Sequence, residues 1–195
     1  MAEFELAPRS PLGGIRQDFG GVSLSEPAGL GIAAIAVPRG GDAALADAVR
    51  AVWGMELPTV GRYSIGTDGL RLIGMSPDQF FAVFPCEGPD AARIVATALG
   101  EAAWVTEQSD AWAVLDLEGP GVRAALERVC PLDLHPDLFA ADLAQRTLME
   151  HLSVIVMRLA EDRFRLMSPS SSALSFLHMV ETSARNIVRG GDHGA

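Results

Sequence analysis

Residues 145–180 read QRTLMEHLSVIVMRLAEDRFRLMSPSSSALSFLHMV, and three patterns follow one another there. Thr147 to Leu152 and Ser153 to Leu159 (SVIVMRL) read as strands, the second apolar on both faces and therefore central in its sheet. The acidic turn Ala160-Glu161-Asp162 sends the chain back through a paired strand, Phe164 to Met167. Pro169 and Ser170 to Ser172 then cap a long helix on which Ala173, Leu177, Val180, Ala184 and Ile187 form one stripe. A hairpin followed by an amphipathic helix must bury one face of each against the other, which sets the class as α+β.

Upstream, Ala111 to Leu117 (AWAVLDL) is a strand, and Gly119-Pro120-Gly121 opens a helix with Val122, Leu126, Val129 and Cys130 facing inward. The first half follows the same grammar. Gly31 to Val37 (GIAAIAV) is a strand stopped by Pro38 and the Gly40-Gly41 pair; a helix capped by Asp42 carries Leu45, Val49, Val52 and Trp53. Leu70 and Leu72 mark a strand, and Phe80 to Phe84 marks another that ends at Pro85. Gly88-Pro89-Asp90 begins a helix bearing Ile94, Val95, Ala98 and Leu99, with Pro89 in its first turn. Trp104 and Val105 belong to a further short strand.

The halves run in register. Trp53 to Pro58 (WGMELP) stands opposite Cys130 to His135 (CPLDLH) with acid and leucine aligned, and Pro85 and Pro169 each follow a strand and introduce a helix. The expectation is two fused split-βαβ, ferredoxin-like units related by internal duplication. Residues 1–27, with Pro8, Pro11, Pro27 and two glycine pairs but no period, form an extended arm; 28–109 and 110–189 are the two units, and 190–195 a flexible tail.

All 15 basic residues are arginine, set against 25 acids for a net charge of −10. Without lysine there is no internal Schiff base, no phosphate-loop lysine and no Ser-Lys nucleophile pair. A pI near 4.8 argues against nucleic acid or an anionic membrane as partner. The longest stretch without an acid or arginine, Leu166 to Val180, has 15 residues and is broken by serines and a proline, too short to span a bilayer. The amino terminus shows no apolar signal segment, and Cys86 and Cys130 make no disulfide framework, so a reduced, cytoplasmic compartment is expected.

No motif carries chemistry. His135, His151, His178 and His193 lack metal-ligand spacing to one another or to a cysteine. Cys130 ends a helix, the wrong end of the dipole for a thiolate. Gly119-Pro120-Gly121 and Ser170 to Ser172 read as helix starts; neither is a GxGxxG loop or a GxSxG elbow. Asp116 and Glu118, like Glu161 and Asp162, read as a solvated face. The expectation is no catalytic, cofactor-binding or metal residue in this chain.

The stretch Leu117 to Phe139 (LEGPGVRAALERVCPLDLHPDLF) and Gln145 to Val180 resembles the gamma subunit of heterotetrameric sarcosine oxidase. The specific pieces are Cys130 to His135, Arg146 to Leu148 (RTL), and the Phe-Arg-Leu strand (Phe164 to Leu166) leading to Pro169 and Ser170; the likeness covers about residues 30 to 188. More distantly, the block is similar to the amino-terminal half of the folate-binding aminomethyltransferase of the glycine cleavage system. From that enzyme it departs at Cys130 to Asp133 and between Arg146 and Ser153, where the enzyme has an asparagine-aspartate turn and a glycine-rich strand ending in paired acids.

The resemblance implies a non-catalytic accessory subunit, packed chiefly against an alpha subunit, with beta and delta subunits in the complex. That complex demethylates sarcosine to glycine, yielding formaldehyde or 5,10-methylenetetrahydrofolate and hydrogen peroxide. Its FAD, FMN, NAD, zinc and tetrahydrofolate sites belong to the other subunits. The alternatives are an autonomous folate-binding one-carbon-transfer protein, or a gamma-type subunit of a dehydrogenase for another N-methyl amino acid. Under the subunit reading, 49% hydrophobic residues and a mean hydropathy of +0.23 beside so much acid reflect a buried partner surface.

Overall fold

The computed structural model describes residues 9–191. A short hairpin, β1 (Arg16–Asp18) and β2 (Ser23–Ser25), precedes β3 (Leu30–Ala36), α1 (Asp42–Trp53), β4 (Tyr63–Ile65), β5 (Arg71–Ser76), β6 (Gln79–Pro85), α2 (Ala91–Leu99) and β7 (Trp104–Glu107). The second half supplies β8 (Trp112–Glu118), α3 (Val122–Glu127), β9 (Ala144–Met149), β10 (Leu152–Ala160), β11 (Arg163–Pro169) and α4 (Ala173–Gly191).

The strands form two antiparallel sheets, one in the order β4-β5-β6-β3-β7 and the other β1-β2-β8-β11-β10-β9. Alternation along each strand sorts its side chains between two cores. On the outer face of the first sheet, Ala33, Ile35, Leu72 and Ala82 pack under Leu45, Val49 and Trp53 of α1 and Val95 and Leu99 of α2. On the outer face of the second, Leu115, Leu117, Val154 and Leu166 pack under Val122 and Leu126 of α3 and Phe176 and Val180 of α4. The inner faces meet through Ile32, Ile73 and Val83 on one side and Val114, Ile155 and Met167 on the other. The result is four layers: helices, sheet, sheet, helices. At one edge the sheets are stitched together, since Tyr63 N–H donates to Asp142 C=O and Ala144 N–H to Gly61 C=O.

Several local expectations are corrected. Thr147 to Leu152 is not one strand: Glu150, at φ 53°, turns the chain between β9 and β10. Gly41 occupies the N-cap of α1 and Asp42 is its first helical residue, without a side-chain cap. Asp90 takes that place in α2, leaving Pro89 ahead of the helix instead of in its first turn. Ser170–Ser172 forms a 3-10 turn into α4 and makes no side-chain cap. Val52 and Ile94 fall off their helices' buried stripes and are exposed, because the burying faces are set by Leu45, Val49 and Trp53 and by Ala91, Val95 and Leu99.

Residues 9–27 are tied down. Leu24 pairs with Leu117 and Ser25 with Asp116, so β2 lies directly beside β8. The Glu26 carboxylate, 8% exposed, accepts hydrogen bonds from Ser10 Oγ and from the Leu12 and Gly14 amides, folding the start of the arm over itself. Gly119, at φ +125°, passes so close to this hairpin that a Cβ would stand 2.4 Å from the Gly21 oxygen. The tail expected at 190–195 lies, beyond Gly191, outside the described residues.

Candidate functional site

Two buried charged groups, Asp116 and Arg165, lie where the inner faces meet. Asp116 shares its face of β8 with Val114, and Arg165 its face of β11 with Met167; the register places the two side by side. Arg165 grips Asp116 with both arms of its fork, Nε to Oδ1 at 2.6 Å and Nη2 to Oδ2 at 2.8 Å, with the two side chains 7% and 10% exposed. Arg163 approaches the same carboxylate at 3.5 Å. This corrects the reading of Asp116 as solvated: every residue of β8 from Ala113 to Leu117 is buried, so an acid there needed a buried cation. Glu118, one residue on, is exposed, as are Glu161 and Asp162.

From the facing sheet, the Tyr63 hydroxyl shares its one proton between the carbonyls of Ala141 and Arg158. Burial raises its pKa, and nearby Arg71 and Arg165 offset that only in part. The Nε of Arg71 is buried without a hydrogen-bond partner among the described residues. Asp116 has both oxygens engaged by an arginine of its own sheet and Tyr63, held protonated, reaches across to Arg158 of the other, so the cluster offers no general base. Sequence reading missed Tyr63, Arg71 and Arg165; the available signal was an acid inside a doubly apolar strand.

The residues singled out from the sequence do not converge. His135 sits exposed in a turn, its Nδ1 3.7 Å from Asp137, and His151 is exposed beside Glu150. His178 lines an open groove of about 620 Å³ between α4, Arg128 and the Glu150 turn. His193 lies outside the described residues. Cys86 and Cys130 are buried free thiols, each pushed above the ordinary thiol pKa chiefly by burial, with Glu107 adding to the effect at Cys86. Such thiols stay protonated and unreactive near neutrality. The amides at the Gly119-Pro120-Gly121 helix start are already spent, Gly121 N–H on Gly21 C=O and Gly119 N–H on Asp162 C=O.

A second cleft, about 370 Å³, opens between the arm and the end of the first sheet, with Glu26, Cys86, Ser109 and Trp112 in its wall. Among the described residues no three His, Cys, Asp or Glu side chains gather as a metal would require, and no helix is long and apolar enough to cross a membrane. What the surface does carry is exposed apolar bulk: Trp104 at 72%, Leu174 at 77%, and Leu138, Leu148 and Ile65 at 60% or more.

A family model described as the sarcosine oxidase, gamma subunit family matches residues 39–185. The chain belongs to that family. It is 36% identical over 146 residues to the sarcosine oxidase gamma subunit of Corynebacterium sp. strain P-1, covering 73% of this chain and 70% of that one. With the gamma subunit of an Arthrobacter sp. it shares 35% over 128 residues, 65% of this chain and 61% of the relative. Among solved structures, a chain of the heterotetrameric sarcosine oxidase from Corynebacterium sp. U-96, in complex with pyrrole 2-carboxylate, aligns at TM-score 0.76 and 27% identity over 93% of this chain and 96% of that one. The glycine cleavage system aminomethyltransferase T of Bartonella henselae aligns at TM-score 0.64 and 15% identity, with 85% of this chain covering 46% of that one. This second likeness is one of fold. The mixed α/β architecture with two antiparallel sheets is thus shared by the gamma-subunit family and the aminomethyltransferase.

Proposed function

We propose that the chain is a non-catalytic accessory subunit of a sarcosine oxidase-type complex, which demethylates sarcosine oxidatively to glycine in the cytoplasm. One observation carries the reading: the alignment takes in 96% of a chain that stands inside a heterotetrameric sarcosine oxidase. The site geometry supports it, because the buried acid is consumed by arginine and both thiols are held protonated. In this reading the chain packs chiefly against an alpha subunit; the alpha and beta subunits hold the dinucleotide, flavin and tetrahydrofolate sites, and a small delta subunit carries zinc. Part of this exposed apolar surface, Trp104 foremost, becomes interface on assembly.

The same reading takes residues 28–109 and 110–189 as duplicated ferredoxin-like units. Its support is the parallel in strand order: β5-β6-β3-β7 in one sheet and β10-β11-β8-β2 in the other, with β4 and β9 in matching places outside them. The test is co-expression with the other subunits. The expected result is that this chain co-purifies in a sarcosine-demethylating complex, while alone it neither turns over sarcosine nor binds tetrahydrofolate. Saturable tetrahydrofolate binding by the isolated chain would overturn the reading in favour of a folate-binding protein.

A further inference from the structure

Matching the sheets strand for strand leaves one place empty. Beyond β2 the second sheet continues into β1, antiparallel, while beyond β7 the first sheet has no strand among the described residues. We propose that the free edge of β7, marked by Trp104, takes up an extended basic segment of a partner subunit as an antiparallel sixth strand. The proposal rests on the accessory-subunit reading and adds to it a place and a chemistry.

The backbone of β7 is phased for such pairing. Gln108 N–H bonds Ile32 C=O, and in an antiparallel ladder bonded pairs alternate; Thr106 and Trp104 therefore face β3, and Val105 and Glu107 present their N–H and C=O outwards. The edge is held rigid. The Glu107 carboxylate accepts hydrogen bonds from Ala92 N–H at 2.8 Å and Ser109 Oγ at 2.6 Å, fastening the strand's end to the start of α2. Trp104, 72% exposed, projects from the sheet face opposite α1 and α2, ready to be covered by the incoming strand's side chains. An edge of this kind, unpaired backbone beside an unburied indole, suits strand addition.

Charge selects the occupant. From Gly100 to Ala111 the charged residues are Glu101, Glu107 and Asp110, with no arginine among them. A second copy paired β7 to β7 about a two-fold axis would set these acids against themselves, whereas an arginine- or lysine-bearing strand meets them with opposite sign.

The test is pull-down of the other subunits by tagged full chain after co-expression, comparing wild type with Trp104→Glu, Val105→Pro and Leu174→Glu. Proline at Val105 removes one outward N–H without touching the β3 ladder. Thermal unfolding of each isolated chain checks the fold, and Trp104→Glu decides the matter should the proline variant unfold. Expected are at least a tenfold loss of capture for Trp104→Glu and Val105→Pro, none for Leu174→Glu, and weaker wild-type capture as salt rises from about 50 to about 500 mM. Capture by Trp104→Glu equal to wild type overturns the proposal, as does an isolated chain whose dimer is abolished by Trp104→Glu. Failure of the wild-type chain to capture any subunit instead removes the accessory-subunit reading beneath it.

Discussion

Next to β3 in one sheet lies β7, reached through α2 from the same half of the chain; next to β8 in the other lies β2, from the opposite end. Both neighbours are antiparallel and both are short, yet their costs of assembly differ. β7 follows β3 after α1, β4, β5, β6 and α2, all within one half of the chain, whereas Ser23 Oγ reaches Glu118 C=O across 95 residues, past the whole of that half. The second sheet thus depends on a segment its own half does not supply, and its inner face also carries a buried ion pair. The two sheets reach the same layered packing by unequal means, and the second should be the easier to break.

Deleting residues 1–27 makes the largest predicted difference. It strips Leu12, Val22 and Leu24 from the second sheet's core, each buried to within 7% exposure and each worth about 1.5–3 kcal/mol, and uncovers the β8 edge. Chemical denaturation is expected to show the loss, and hydrogen exchange to place it in β8 and β11 while β3 and β6 stay protected. Equal loss of protection in both sheets would mean that they unfold as one unit. Next comes Asp116→Ala, which leaves Arg165 buried without its counter-charge and costs about 3–5 kcal/mol in urea unfolding. Replacing both residues with leucine is expected to recover most of that, since a buried pair is roughly balanced by a well-packed apolar one.

Two glycines give a matched, smaller test. A Cβ at Gly119 meets Gly21 O at 2.4 Å in the second sheet, and one at Gly74 meets Thr59 O at 2.4 Å in the first. Both alanine variants should lose stability by about 1–3 kcal/mol. Gly119→Ala, whose φ is also positive, is expected to be the worse and to raise protease cleavage in residues 13–21 alone. The smallest effect belongs to Glu107. Burial raises its pKa, but the hydrogen bonds from Ser109 and from the Ala92, Ser109 and Gln108 amides outweigh that and hold it below the ordinary glutamate range. A lowered folded-state pKa stabilises the fold above the unfolded value, and the gain is lost as pH falls through the folded one. Glu107→Gln should therefore melt lower than wild type at neutral pH and converge with it in acid.

Most elements were legible because proline, glycine and apolar runs punctuate them: GIAAIAV, FFAVF and AWAVLDL each mark a strand. The hairpin Arg16–Asp18 and Ser23–Ser25 was not, since three-residue strands show no period and their partners lie far along the chain. The Asp116–Arg165 pair was half legible. Ala113 to Leu117 reads as a strand buried on both sides, which forces an acid inside it to find a cation, but choosing Arg165 over Arg163 needs the register of β11. The resemblance in Cys130 to His135 and Phe164 to Ser170 pointed to the family directly, whereas the vacant place beside β7 is a property of strand order alone.

The crossing of β2 to β8 also has a temporal side. During translation β2 leaves the ribosome before β8, and its seat is not made until β8 follows, 95 residues later for Ser23 and Glu118. At about 5–20 residues per second this is a wait of roughly 5 to 20 seconds. During that interval β3 to β7 have already been translated and can close their sheet, while Val22 and Leu24 have no pocket to enter. The nascent chain therefore passes through a stage in which β2 has no sheet to join and its apolar side chains stay uncovered.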